Sequence, residues 1–215
     1  MEIYREVAEK FAAKHLGVEG HLDALGEGTF AEVFGAGDKV VKVTRDKHDA
    51  IIAQRTVGKG FKHIVKNFGV YQIQETIDDD TIFIIVNERL KPMRDSKTYE
   101  RYKPYVGVCC LVDKCYIYSG DEYKDSKWCE KHFQNAKGRV LEHNSSQLTS
   151  EDVETMEESI PQFVRMMGEI ASLNVNIVDF HEGNIGYDDI GSVKFLDLGY
   201  HNSIVLIPLL SPLEL

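Results

Sequence analysis

Asp179-Phe180-His181-Glu182-Gly183-Asn184-Ile185, followed by Phe195-Leu196-Asp197-Leu198-Gly199, is the stretch on which the reading of this chain turns. An Asp is followed five residues later by an Asn, and thirteen residues after that by an Asp-Leu-Gly. Asn and Asp offer hard oxygen donors of the kind that hold Mg2+ beside phosphates. A further carboxylate can orient an attacking hydroxyl. This is the layout of a phosphoryl-transfer site, where alignment and charge neutralisation carry most of the catalysis. Asp179 is the candidate for orienting the acceptor, and Asn184 with Asp197 for holding the metal. Alone, Asp-Leu-Gly is an ordinary turn sequence. Its spacing back to Asn184 gives it meaning.

The N-terminal part supplies the complementary half of such a site, in the right order. Leu25-Gly26-Glu27-Gly28-Thr29-Phe30-Ala31-Glu32-Val33 precedes Val40-Val41-Lys42-Val43. Glycines 26 and 28, between apolar residues, let a hairpin backbone lie close over phosphates where a side chain would obstruct it. The third small position is Ala31. Lys42, in a valine-rich strand, points a fixed positive charge at the phosphates. By itself a glycine-bearing hairpin is an everyday turn. The lysine and the distal Asp…Asn…Asp set decide between the two readings.

With these residues in place, the chain resembles the protein-kinase-like superfamily over nearly all its length. Within it, the compact hairpin and Asp179-Phe180-His181-Glu182-Gly183-Asn184-Ile185 look most like the small serine/threonine kinases of short-tailed bacteriophages. The Asp-x-His element also occurs in aminoglycoside phosphotransferases, so it marks the superfamily better than the substrate. The resemblance implies an α+β, minimal two-lobed fold. An antiparallel-sheet N-lobe would span residues 1–90, and a reduced helical C-lobe residues 91–215. It implies ATP and Mg2+ as cofactors, with Asp179, Lys42 and His181 catalytic and Asn184 and Asp197 on the metal. Gly26, Gly28, Thr29, Val33, Lys42, Glu88 and Leu90 would contact the nucleotide, the last two from the hinge Asn87-Glu88-Arg89-Leu90. Val86 would stand beside the adenine, with Val33 and Leu25 sandwiching it. The implied activity is phosphoryl transfer to serine or threonine of host proteins in a bacterial cytoplasm. The alternatives are a small-molecule phosphotransferase of aminoglycoside-kinase type, or a pseudokinase serving as an interaction protein.

Three departures from the family pattern stand out. The helix expected over Asp46 to Val57 has no glutamate to pair with Lys42; Asp46, Asp49 and Gln54 are the candidates. Ile177-Val178 precede Asp179 where many kinases have His-Arg, so activation by loop phosphorylation has no cationic partner there. Sixteen residues follow Gly199, which leaves no room for a peptide-docking platform and places substrate recognition on the 91–150 insertion or on a partner.

The 215 residues suffice for a large core or two small lobes. A net charge of −10 argues against direct nucleic-acid binding or an anionic membrane surface. No export signal is visible, and no apolar run reaches the roughly 18 residues a membrane span needs. The expected location is the cytoplasm, with the four cysteines reduced. Cys109, Cys110, Cys115 and Cys129 cluster, with His132 three residues after the last. Cys110, Cys115, Cys129 and His132 have the donor types of a zinc site; the same thiols also suit small buried hydrophobes. Periodicity predicts a helix from Ile3 to Leu16, strands from about His21 to Val43, and a buried strand from Thr81 to Val86. A long helix is expected from Ser150 to Leu173, capped by Ser150 or Thr149, with Ile160, Phe163, Val164, Met167 and Ile170 as its core stripe. The catalytic and metal loops follow over 177–199, where Asp188 and Asp189 read as turn residues. Residues 91–150 promise one or two helices in no readable order.

Overall fold

The computed structural model describes residues 2–77, 80–93, 97–119, 126–144, 148–173, 182–198 and 213. They form two compact units. The first takes in the described residues of Met1–Gly60, Val65–Arg89 and Ser203–Leu215, the second those of Phe61–Ile64 and Leu90–Asn202. The architecture is α+β, with an antiparallel five-stranded sheet in the first unit and a mainly helical second unit.

The lead-in helix is α1 (Glu2–Phe11), which continues into a π turn (Ala12–Leu16). It stops at Gly17, whose φ of 68° is a left-handed cap that a residue without Cβ adopts at least cost. The strands are β1 (Asp23–Glu27), β2 (Ala31–Ala36), β3 (Lys39–Thr44), β4 (Asn67–Ile77) and β5 (Asp80–Glu88), in the order β1-β2-β3-β5-β4. Alternation along them sends Phe34, Val41, Val43, Ile82, Ile84 and Val86 to one face, against Val7, Ala8, Phe11 and Ala12. The other face packs Val70, Phe83 and Ile85 on Ala50 and Ala53 of α2 (Lys47–Thr56). Each such large side chain contributes about 1.5–3 kcal/mol by leaving water. Because both faces are covered, β5 reads as an unbroken apolar run from Ile82 to Val86.

In the second unit, α3 (Lys97–Ser119), α4 (Ser126–Asn144) and α5 (Ser150–Ser172) pack on one another. Tyr105, Phe133 and Phe163, all fully buried, form their centre; the Phe133 and Phe163 rings lie 4.8 Å apart and Tyr105 meets Phe163 edge-on. Thr149 is the α5 cap, in a reciprocal box with Asp152. The buried stripe of α5 runs through Met156, Ser159, Phe163, Met166, Met167 and Ile170. Ile160 and Val164 are only half-buried, so the stripe is rotated slightly from the expected one. A small antiparallel sheet, β6 (Lys91–Pro92), β7 (Ile185–Tyr187) and β8 (Val193–Phe195), completes the unit. The strip 61–64 joins it: both oxygens of Glu169 accept backbone N–H groups, from Lys62 at 2.9 Å and His63 at 2.8 Å, while His63 O accepts from Phe195 N. Among the described residues no helix is long and apolar enough to cross a membrane.

Candidate active site

The glycine hairpin is β1 and β2, with Gly26 opposite Val33 and Glu27 opposite Glu32. Gly28 N donates to Ala31 O at 2.8 Å to close the turn, and Arg45 N donates to Phe30 O at 2.9 Å to tether it to the end of β3. Neither glycine is required by the fold. Both lie outside positive φ; among the described residues a Cβ on Gly26 would meet nothing within 4 Å, and one on Gly28 only Ala31 O at 3.9 Å. What glycine preserves there is a bare backbone ridge. Thr29 and Phe30 at the tip are exposed, as is Leu25.

Lys42 stands mid-strand in β3, opposite Val33 of β2 and Ile85 of β5. Its Nζ lies 2.7 Å from Asp49 Oδ2, with both side chains largely buried. The ambiguity of the sequence is thereby resolved. Asp46 is spent as the α2 cap, accepting from His48 N at 2.8 Å, and Asp49 one turn on holds the lysine. An aspartate arm is one methylene shorter than a glutamate. The helix can come near enough because small residues, Ala50 and Ala53, face the sheet. The pair fixes the ammonium in place with its charge opposed.

Cross-strand register also assigns the lining of this face. Val33, Val40, Lys42 and Asn87 share it, whereas Val86 sits opposite Val41 and is buried in the α1-side core. The expected place of Val86 beside a base is therefore corrected: its alternation turns it away from Lys42 into the core, and the next residue, Asn87, is the one on the Lys42 face. In the sequence Asn87 stands out only as part of the hinge and Val40 only as a neighbour of Lys42, without a role for either side chain. Glu88 is tied twice to Lys66, donating its N–H to Lys66 O at 3.0 Å and accepting from Lys66 N at 2.7 Å through Oε1. Leu90 belongs to the second unit. It packs so closely over β7 that a Cβ on Gly186 would stand 2.8 Å from Leu90 Cβ.

In that unit a short 3-10 turn, Glu182–Asn184, leads into the β7–β8 hairpin. Ile185 pairs with Phe195, and Leu196 N donates to Asn184 O at 2.8 Å. Asn184 and Asp197 are thus brought to the same end of one hairpin, both half-buried, between the buried Ile185 and Leu198. An amide oxygen and a carboxylate are the donor types that suit a hard divalent cation such as Mg2+. The far end is closed by Asp188, which accepts from Ile190 N at 3.1 Å and Ser192 N at 2.8 Å, as a turn residue does. Asp179 and His181 lie outside the described residues.

For zinc the picture is different. Cys109 is fully buried in α3, and that burial pushes its thiol pKa far above the ordinary value, as in an inert core thiol. Cys110 is half-buried, and the His132 ring lies tilted against Trp128 with ring centroids 4.0 Å apart. The side chains of Cys115 and Cys129 lie outside those described. Among the described residues no group of three or more His, Cys, Asp or Glu is placed to hold a metal ion.

No protein-family model matches the chain, and no curated protein matches it. Among solved structures it is similar to a thermostable mutant of the aminoglycoside phosphotransferase APH(4)-Ia. In the apo form the identity is 14%, the overlap covers 88% of this chain and 70% of that one, and the TM-score is 0.41. In the ternary complex with AMP-PNP and hygromycin B the identity is 15%, the overlap covers 48% of this chain and 35% of that one, and the TM-score is 0.32. The chain thus spans about a third of the length of the latter. Likeness of this degree does not establish kinship.

Proposed function

We propose that the chain is an ATP-dependent phosphotransferase with a minimal protein-kinase-like fold, moving the γ-phosphoryl group of ATP to an acceptor hydroxyl. The Lys42–Asp49 pair supports this reading most strongly. It is a lysine held by a helix carboxylate in the centre of a sheet, beside a hairpin whose glycines the fold itself does not need. Lys42 neutralises the α- and β-phosphates, and Val33 and Val40 offer an apolar face to the base. Asn184 and Asp197 hold Mg2+, which, when bound, neutralises charge on the phosphates. Asp179 orients the acceptor hydroxyl and takes its proton as the new O–P bond forms and the bond to the leaving ADP breaks. His181 contacts the γ-phosphate or braces Asp179. The last two roles rest on sequence spacing alone.

The helical unit favours a small-molecule acceptor. Three long helices, α3, α4 and α5, make up most of this unit. They border an open cleft of about 640 Å3 lined by Glu100, Arg101 and Lys103 of α3 and Leu148, Thr149 and Asp152 at the start of α5. That volume is in the range of small-molecule sites. Transfer to serine or threonine of a protein is the second reading, supported by the resemblance of the Asp179–Ile185 loop to phage kinases. Incubation with γ-labelled ATP, Mg2+ and bacterial lysate, beside Asp197→Ala, tests both. Label in the low-mass fraction that disappears in the variant supports the first reading. Label on protein supports the second. Absence of both label transfer and ATP binding would sink the proposal.

A further inference from the structure

At the end of β5, on the sheet face that carries Lys42, stands Asn87, and its register partner on β4 is Asn67. Both are buried, 7% and 5% exposed. Asn67 donates its amide N–H to Thr56 Oγ1, and that hydroxyl donates to Ala53 O near the end of α2. The side-chain oxygens of Asn67 and Asn87 have no hydrogen-bond partner among the described residues. Around them the same face is apolar: Val40 is opposite Asn87, and Ile85 is two residues before it. A buried amide oxygen left unmatched costs stability that an apolar residue of similar size would not. A pair of them at one level, next to Val40 and Ile85, points to a polar group that comes from outside the fold.

The chemistry of that group follows from the amide. An Asn side chain offers one acceptor and one donor side by side, the complement of the N6 amine and N7 of adenine. The terminal torsion of Asn is broad, so the amide can turn to present either atom. Guanine has a carbonyl at the corresponding place and sets its O6 against the Asn oxygen.

We propose that Asn87 is a base-specificity residue, whose side-chain amide hydrogen-bonds the N6–N7 edge of adenine while the phosphates lie toward Lys42. The inference rests on the nucleotide-binding reading above and adds the base to it.

The test measures binding of ATP, GTP and 7-deaza-ATP to the full chain and to Asn87→Leu. The unaltered chain should prefer ATP to GTP by about tenfold or more, and should lose a similar factor with 7-deaza-ATP, which lacks the N7 acceptor. Asn87→Leu should bind ATP and 7-deaza-ATP alike and narrow the ATP-to-GTP gap. The analogue comparison uses the unaltered chain and so stands even if the variant fails to fold. ATP binding that ignores both the loss of N7 and the change of base would overturn the inference, as expected if a water bridges the two oxygens. An undiminished ATP preference in Asn87→Leu would also overturn it. ATP still binds in both those cases. If no triphosphate binds the unaltered chain, the phosphotransferase reading itself fails and takes this inference with it.

Discussion

At the scale of single residues, the decisive contact is Lys42 Nζ with Asp49 Oδ2 at 2.7 Å. A charge-assisted hydrogen bond of this kind is worth about 1.5–3 kcal/mol, which corresponds to roughly ten- to a hundredfold in rate if it acts in the transition state. Asp49→Asn is therefore expected to lower kcat/KM by that order, while α2 stays formed because its cap is Asp46. Steady-state kinetics beside far-ultraviolet circular dichroism would check it, and full activity with unchanged helicity would remove Asp49 from the site. The need for a partner to Lys42 was legible in the sequence. The choice among Asp46, Asp49 and Gln54 was not, since cap and ion pair call for the same side chain a few residues apart. Val86 and Asn87 show a related blindness. An unbroken apolar run hides which of its members face which way, and only the register with β3 and the covering by α1 assign Val86 to the core.

At the scale of elements, the β1–β2 hairpin separates function from folding unusually well. Gly26 and Gly28 have room for a methyl and no left-handed backbone. Replacing both by Ala should leave the melting temperature unchanged or slightly raised, since Ala narrows the unfolded ensemble by about 0.4–1 kcal/mol per site. ATP turnover should nonetheless fall by about tenfold, because even a small misplacement at a reacting centre is costly. A thermal melt and an ATPase or transfer assay on one preparation decide it: a large loss of stability would make the glycines structural, and full turnover would make them incidental. Such hairpins, the capped α2 and α5, and the β7–β8 turn were readable because each carries local signals, from glycine pairs to Thr149 with Asp152. The pair α3 and α4 was not. Pro104 and Gly107 read as helix breakers, yet both lie inside the 23-residue α3, where packing on α4 and α5 outweighs local propensity. Buried Val106, Val108, Cys109 and Val112 mark the face that does so.

On the scale of the whole molecule, the chain's path carries a pH dependence. Residues 61–64 belong to the second unit although their neighbours on both sides belong to the first. His63 is the fixing point of that strip. Its N–H bonds Glu169, its carbonyl takes Phe195 N, and its ring Nδ1 lies 3.3 Å from Val193 O. Burial lowers its pKa below the ordinary 6.5, and Arg165 and Lys62 push the same way, against the Val193 carbonyl and Glu169. The folded chain thus resists a proton that the unfolded chain accepts. Stability from this group is fully present above pH 6.5 and is lost as pH falls from there through the lower folded value. Melting temperatures of the unaltered chain should fall over the window that opens below pH 6.5. In His63→Gln, which keeps a polar side chain for the Val193 carbonyl but does not titrate, they should stay nearly level over that window. Parallel curves for the two proteins would remove His63 as the source of the pH dependence.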